Sequence, residues 1–377
     1  MALNPSGAIS LAGPSAGQSI AVELGLSATA AISLNDVVVR TLAQVPSGVI
    51  VMPTDFYGKS NFVNTQRAIF GFGRFTSSTA SSAGLNTTNL VSNTGVVATD
   101  GPGVGSARAS LTAAGYGGDK AIFGFGRNNG PSPTTPPTSI TNLVSNTGVV
   151  ASDTPGVGQV RSSLAAAGYG GDKAIFGFGD AAPLGPGNIT SLTNLVSNTG
   201  VVASDTPSVG SARSGLTAAG YGGDKALFIY GARPYSPAIN YPVSNLVSNT
   251  GVVASDTPIA GTFRGTSATG YGGDKAMFAF GSSPVGPFNT TNIINLISNT
   301  GVVASDTPGV GTALRSRASA GYGGDKAIFG YGARTGPNNP PSFNLTNLVS
   351  NTGVVASDSP GVGTARYLLA CAGYSTT

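Results

Sequence analysis

Short bursts of alternating apolar and polar residues fill most of this chain, and each burst ends at glycine, proline or an Asn/Asp-Thr cluster. Alternation with period two over about four to eight residues marks half-buried strands, and the clusters between them are turn formers. One stretch shows the grammar. Residues 162–169 are predicted as a first strand, small and Ala-rich. Gly170-Gly171-Asp172 is a tight turn, where two glycines permit positive φ. Residues 173–178 form a second strand rich in Ile and Phe, ended by Gly179. A polar loop leads to a third strand at 194–197, Asn198-Thr199-Gly200 turns the chain, and a fourth strand covers 201–204. Asp205-Thr206-Pro207 then stops the ladder, because proline has no N–H to donate.

The unit recurs. A phrase Asn-Leu-(Val/Ile)-Ser-Asn-Thr-Gly-Val-Val-Ala begins at Asn89, Asn142, Asn194, Asn245, Asn295 and Asn347, with spacings of 53, 52, 51, 50 and 52. A second phrase places Phe70, Phe123, Phe176, Phe228, Phe278 and Phe329 at the same point of the second strand. An arginine precedes each first strand: Arg108, Arg161, Arg213, Arg264, Arg317 (or Arg315) and Arg366. Four antiparallel strands per unit at a period near 50 are the arithmetic of a propeller blade. Helical solenoids would need a 3.6-residue period, and leucine-rich or hexapeptide repeats are too short. Small residues in the first strand suit the crowded axis of such a ring. The rings of the second strand suit the wider gaps between blades, each contributing about 1.5–3 kcal/mol by burial.

The repeat frame is offset. The first unit starts at its second strand, residues 66–73, and the chain ends on a first strand, residues 366–374. The last strand is therefore expected to complete the first blade and leave no free edge. This predicts a mainly β fold with six blades, or seven if residues 49–64 supply a degenerate one. The order of Arg, strand, Gly-Gly, Lys-Ala-Ile-Phe-Gly-Phe-Gly, loop, strand, turn and strand over residues 66–374 resembles the kelch repeat. Kelch units usually carry a Trp at a later position, and this chain has none. The resemblance implies a kelch-like β-propeller over residues 61–377 and says little of function, since propellers host unrelated functions.

Residues 1–60 lack the repeat and are predicted as a small α/β domain. Strands are expected at 6–11, 31–34 and 49–57, and helices at 18–24 and from an Asn35 cap to Ala43. The phrases Gly-Ala-Ile-Ser-Leu-Ala-Gly, Glu-Leu-Gly-Leu-Ser, Ile-Ser-Leu-Asn-Asp and Asp-Phe-Tyr-Gly-Lys-Ser resemble the N-terminal segment of tailed-bacteriophage structural proteins. The repeated Asp-Lys-Ala-Ile-Phe-Gly is similar to phage virion proteins as well. The resemblance implies a virion-attachment domain ahead of an outward-facing propeller, present in multiple copies in a symmetric assembly.

Composition narrows the chemistry. Only 9% of residues are charged, against about 25% in ordinary soluble proteins, so long ion-paired helices are excluded. Absence of His rules out His-based acid–base or triad catalysis, and with one cysteine there is neither an internal disulfide nor a Cys/His zinc set. Cys371 reads as a small buried hydrophobe. The net charge of +4 comes without a basic run or a Lys/Arg cluster interleaved with aromatics, so nucleic acid is not an expected partner. The start lacks a basic region followed by an apolar one, and no run reaches 18 apolar residues. The expectation is a chain made in a host cytoplasm, not exported by a secretory signal and not inserted in membrane, and residing in a virion.

Three repeated polar sets invite a chemical reading. Asp119, Asp172, Asp224, Asp274 and Asp325 each precede a lysine, with Gln66-Arg67 in the first unit. An active site needs one constellation rather than a copy per blade, so these are read as turn residues. The six arginines are read as struts between blades, their planar forks suited to carbonyl oxygens. Sialidase-like sites would need a Trp. Asp100, Asp153, Asp205, Asp256, Asp306 and Asp358 stand one per loop, too sparse for calcium, and suit Asx turns. Gly-Tyr-Gly-Gly and Gly-Phe-Gly are not phosphate loops, for no helix follows them. No catalytic residue, metal or cofactor is expected.

What differs between copies is the loop after the second strand: 74–88, 127–141, 180–193, 232–244, 282–294 and 333–346. A rigid scaffold presenting divergent loops is a common way to build a binding surface, although surface loops also drift. Arg127, Asp180, Tyr235, Tyr241, Phe288 and Phe343 are the candidate binding residues, aromatics amid polar groups that suit carbohydrate or protein. Three readings follow. The first is a virion tail, baseplate or fibre protein binding host-surface glycan or a neighbouring virion protein. The second is a structural propeller without a receptor. The third is a propeller hydrolase or lyase relying on carboxylates alone.

Overall fold

Each Ala-rich run folds back on the Lys-Ala-(Ile/Leu/Met)-Phe run that follows, and the Asn-Leu-(Val/Ile) run pairs on its other side. The computed structural model describes residues 3–4, 6–15, 17–24, 26–43, 48–56, 65–75, 83–128, 136–182, 188–233, 239–262, 264–282, 290–334 and 341–376. The chain divides into two units, Met1–Val63 and Asn64–Thr377. The second is mainly β, built from small antiparallel sheets.

Six of these sheets repeat one design. In chain order of their second strands they are Ala370–Tyr374 with Arg67–Gly71 and Thr88–Val91, then Thr112–Tyr116 with Lys120–Gly124 and Thr141–Val144. Next come Ala165–Tyr169 with Lys173–Gly177 and Thr193–Val196, and Thr217–Tyr221 with Lys225–Ile229 and Val243–Val247. Gly265–Tyr271 with Lys275–Ser282 and Ile294–Ile297, and Ala318–Tyr322 with Lys326–Ala333 and Ser342–Val349, complete the set. The C-terminal strand pairs with the earliest one in register, Tyr374 opposite Arg67 and Ala370 opposite Gly71.

The first strands of the six sheets touch one another in cyclic order, the strand at 370–374 lying beside those at 112–116 and 318–322. Backbone bonds tie the same cycle. The Gly117 N–H donates to Asp172 O at 2.7 Å, Gly170 to Asp224 at 2.6 Å, Gly222 to Asp274 at 2.6 Å and Gly272 to Asp325 at 2.7 Å. Gly323 to Gln66 at 2.9 Å and Ser375 to Asp119 at 2.7 Å close it.

Aromatic pairs fill the gaps between sheets. Five positions after the first residue of each second strand stands a Phe or Tyr with φ between 57° and 65°: Phe72, Phe125, Phe178, Tyr230, Phe280 and Tyr331. A bulky side chain rarely adopts this left-handed conformation. Here it turns each ring onto the phenylalanine of the next sheet, as edge-to-face pairs with centroids 5.1–5.3 Å apart, from Phe72–Phe123 round to Tyr331–Phe70. Such a pair adds about 0.5–1.5 kcal/mol beyond burial, which offsets much of the backbone strain.

Two features of the repeat differ from the expectation. The fourth strand is not a ladder: the segment at 201–204 forms a single bridge to the third strand, Val196↔Val202, and the other copies do likewise. The second valine of each Val-Val pair is buried or half-buried and the first exposed, Val150 against Val149 for example, so a single side chain anchors the segment. The predicted first strand at 162–169 is split into Arg161–Ser162 and Ala165–Tyr169, because Ser163 has φ 54° and breaks the extended run.

The first unit holds two short helices, Ile20–Glu23 and Val37–Ala43, and a 3-10 turn at Thr54–Phe56. The Ser19 hydroxyl accepts from the Val22 N–H and caps the first helix. Leu3, Ile9, Ile20, Val39, Leu42 and Phe56 form its core. The strands expected at 6–11, 31–34 and 49–57 are absent among the described residues, which show one isolated bridge, Ser10↔Ser19. Val49 and Val51 are exposed and no described segment pairs with them, so the apolar pattern there lacks a ladder partner. No helix among the described residues is long and apolar enough to cross a membrane.

Candidate functional site

At the glycine end of each second strand the repeat builds a buried polar node. Asn194, fully buried, is the second residue of the third strand. Its Nδ2 donates to Ala203 O at 3.0 Å and to Asp205 Oδ1 at 2.9 Å, while its Oδ1 accepts from the Arg161 guanidinium. Arg161 also donates to Leu192 O at 2.6 Å and stacks 4.9 Å over the Phe125 ring of the preceding sheet. Asp205 accepts from the Gln159 N–H at 2.8 Å, in the linker that crosses between sheets. Arg108, Arg161, Arg213 and Arg366 thus sit between an aromatic ring of one sheet and oxygen acceptors of the next, whereas Arg264 stacks on Phe278 of the sheet that accepts its bonds.

The node recurs as Arg108–Asn142–Asp153, Arg213–Asn245–Asp256, Arg264–Asn295–Asp306 and Arg366–Asn89–Asp100. These arginines are wholly buried, yet each has an aspartate oxygen within 3.5–4.0 Å. Burial pulls Arg108, Arg161 and Arg213 down to about 10, which leaves them cationic at neutral pH. For Asp100, Asp153, Asp256 and Asp306 burial pushes the carboxyl up, but hydrogen bonds from Ser or Thr and from Asn, with the arginine's charge, outweigh it and hold the net value low. The asparagines were not singled out from sequence. Their signal lies in the sequence: an Asn precedes Leu-(Val/Ile) in the third strand of all six copies.

The sixth sheet departs. Gly281 N–H donates to Leu314 O at 3.0 Å, the bond that Gly126 and Gly179 make to Arg161 and Arg213. Leu314 therefore stands at the arginine position. Arg317 stands where Leu111, Leu164, Leu216 and Leu369 stand elsewhere, five residues before the strand's terminal tyrosine. Its guanidinium reaches the node from there, 4.1 Å over the Phe280 ring and 3.2 Å from Phe329 O. Its Nε and Nη1, and Asn347 Oδ1, are buried without partners. Burial lowers Arg317 to about 9. Arg315, the other sequence candidate, instead bridges Ala333.

The variable loops leave from this same end of the sheets. Arg127 and Asp180 occupy equivalent positions in neighbouring repeats and come together, Nη2 to Oδ2 at 4.0 Å, while Arg127 Nε donates to Ser162 Oγ at 2.9 Å. Asp180 is buried, and burial raises its carboxyl despite a Ser214 hydrogen bond and the Arg127 charge. Tyr241 is half-buried, its N–H donating to Gly231 O at 3.0 Å. Phe343 is half-buried under the Arg334 guanidinium at 5.4 Å. Tyr235 and Phe288 lie outside the described residues.

The opposite end carries the Asp–Lys turns. Asp119, Asp172, Asp224, Asp274 and Asp325 each accept from the adjacent lysine at 2.6–3.1 Å and from an asparagine of the third-strand turn at 2.9–3.2 Å. Cys371 is buried and its thiol is raised well above its ordinary value by desolvation. It lines an axial cavity of about 150 Å³ with the first strands of all six sheets. Among the described residues no three His, Cys, Asp or Glu side chains gather as a metal site. Compared with known protein families and with curated proteins, the chain matches none.

Proposed function

We propose that the six sheets are the blades of a kelch-like β-propeller, and that the chain is a non-enzymatic structural protein of a tailed-phage virion. In this reading residues 1–60 attach it to a tail, baseplate or fibre, and the loops bind host-surface glycan or a neighbouring virion protein. One observation carries the binding role. Five complete polar nodes and six aromatic pairs hold nearly invariant strands, while the loops leaving the same end differ in every copy. A scaffold needed only for rigidity has no use for that contrast. The virion assignment rests on the phrases of residues 1–60 and on the repeated Asp-Lys-Ala-Ile-Phe-Gly.

The test is adsorption. Phage carrying the chain with the 180–193 and 232–244 loops shortened should assemble normally and lose host adsorption. Phage lacking residues 1–60 should fail to incorporate the chain. Full adsorption with shortened loops would leave a purely structural propeller.

A further inference from the structure

The charges of the second unit are sorted by end. The node arginines and aspartates are equal in number, six and six, and cancel. At the Gly-Gly-Asp end Arg67 and five lysines face five aspartates, each of them paired with its lysine. The remaining charged residues all lie at the loop end: Arg74, Arg127, Arg233, Arg315 and Arg334 against Asp180 alone. Their positions follow from register. Arg74 pairs with Gly84, Arg127 with Ala109 and Arg233 with Ile239, Arg315 bridges Ala333, and Arg334 donates its N–H to Pro341 O. The loop end therefore holds a surplus of four positive charges, and the opposite end a surplus of one.

The side-chain type is sorted too. Every loop-end cation is arginine, whereas five of the six at the other end are lysine. Lysine serves as a hydrated point charge. The arginine fork binds a carboxylate through two parallel hydrogen bonds and stays cationic at any physiological pH. The half-buried rings of Tyr241 and Phe343 lie at the same end and suit sugar ring faces.

We propose that the loop end binds an acidic polysaccharide whose carboxylates, from uronic or sialic acid residues, pair with these arginines. The inference deepens the glycan reading above and rests on it. Charge spacing favours this partner over nucleic acid. A duplex carries a negative charge about every 1.7 Å and is met by a dense basic stripe. Here five cations are spread over six repeats. A polymer with a carboxylate every few sugars matches that density.

The experiment uses the full chain against an immobilised array of bacterial surface polysaccharides, acidic and neutral, with a DNA duplex as a further probe. Expected is binding to uronate- or sialate-bearing polymers that weakens with salt. Arg233→Gln/Arg334→Gln should raise Kd about tenfold or more, the worth of one charge-assisted contact, at unchanged melting temperature. Lys173→Gln/Lys225→Gln at the other end should leave Kd unchanged. Neutral polymers bound as well as acidic ones, or an Arg233/Arg334 variant that binds as wild type, would overturn the carboxylate assignment and spare the glycan reading. No polysaccharide bound at all would overturn both, and duplex binding lost in the arginine variant would replace them with a nucleic-acid surface.

Discussion

Arg366 donates to Asn89 Oδ1 at 2.5 Å across 277 residues of sequence. The same residue type pairs elsewhere are separated by 31–34 residues. The bond thus joins the end of the chain to the first sheet by the node that four other sheets also carry. Thr364 reinforces it, its N–H and hydroxyl both donating to Asp100. Closure depends on buried polar chemistry as well as on the pairing of Ala370–Tyr374 with Arg67–Gly71.

Replacing Asn89 by Leu should therefore open the ring. The buried Arg366 guanidinium would lose its Asn89 acceptor and keep only Thr364 O at 3.3 Å and Asp100 at 3.6 Å, a loss of about 2–4 kcal/mol. Urea unfolding monitored by tyrosine fluorescence measures it. A midpoint equal to wild type would show that strand pairing alone closes the chain.

The sixth node invites repair. Leu314→Arg with Arg317→Leu restores the arrangement of the other repeats and gives Asn347 Oδ1, buried without a partner, a donor. The double variant should gain about 1–3 kcal/mol. Leu314→Arg alone should destabilise, since two guanidinium groups would then compete for one node. Thermal unfolding of both variants decides the matter, and a less stable double variant would refute the swap.

Acid should weaken the nodes. Asp100, Asp153, Asp256, Asp306 and Asp358 have carboxyls held below their ordinary value. A depressed folded-state pKa means stabilisation that is full above the unfolded value, about 3.9 for Asp, and is lost as pH falls through the folded one. Melting temperature should hold from neutral pH to about pH 4 and drop below it.

Asp180 should behave oppositely. Its carboxyl is raised by burial, so the folded state keeps its proton longer than the unfolded state as pH rises. Stability is then lost as pH climbs from the unfolded value to the raised one. Asp180→Asn should melt above wild type at pH 7 and show no such advantage near pH 3. Differential scanning calorimetry at the two pH values tests the sign.

Period-two runs and Gly-Gly-Asp turns made the strands legible because each is a local signal. The offset frame made the pairing of Ala370–Tyr374 with Arg67–Gly71 legible as well. The third strands were placed one residue late, and the Val-Val segments were read as strands because alternation does not reveal whether a ladder partner continues. In residues 1–60 the Val49 and Val51 pattern misled for the same reason. The asparagine nodes were hidden because a buried polar side chain depends on partners some 30 residues away, which no window of sequence brings together. Arg317 and Arg315 could not be ranked by spacing, since what separates them is the burial of one guanidinium.

Electron cryo-microscopy of phage particles carrying this chain tests the central claim most directly. The account predicts a six-bladed ring on the virion, the first unit against a tail or capsid protein and the divergent loops facing outward. Absence of the chain from every particle, or loops packed wholly against other virion proteins, would contradict it.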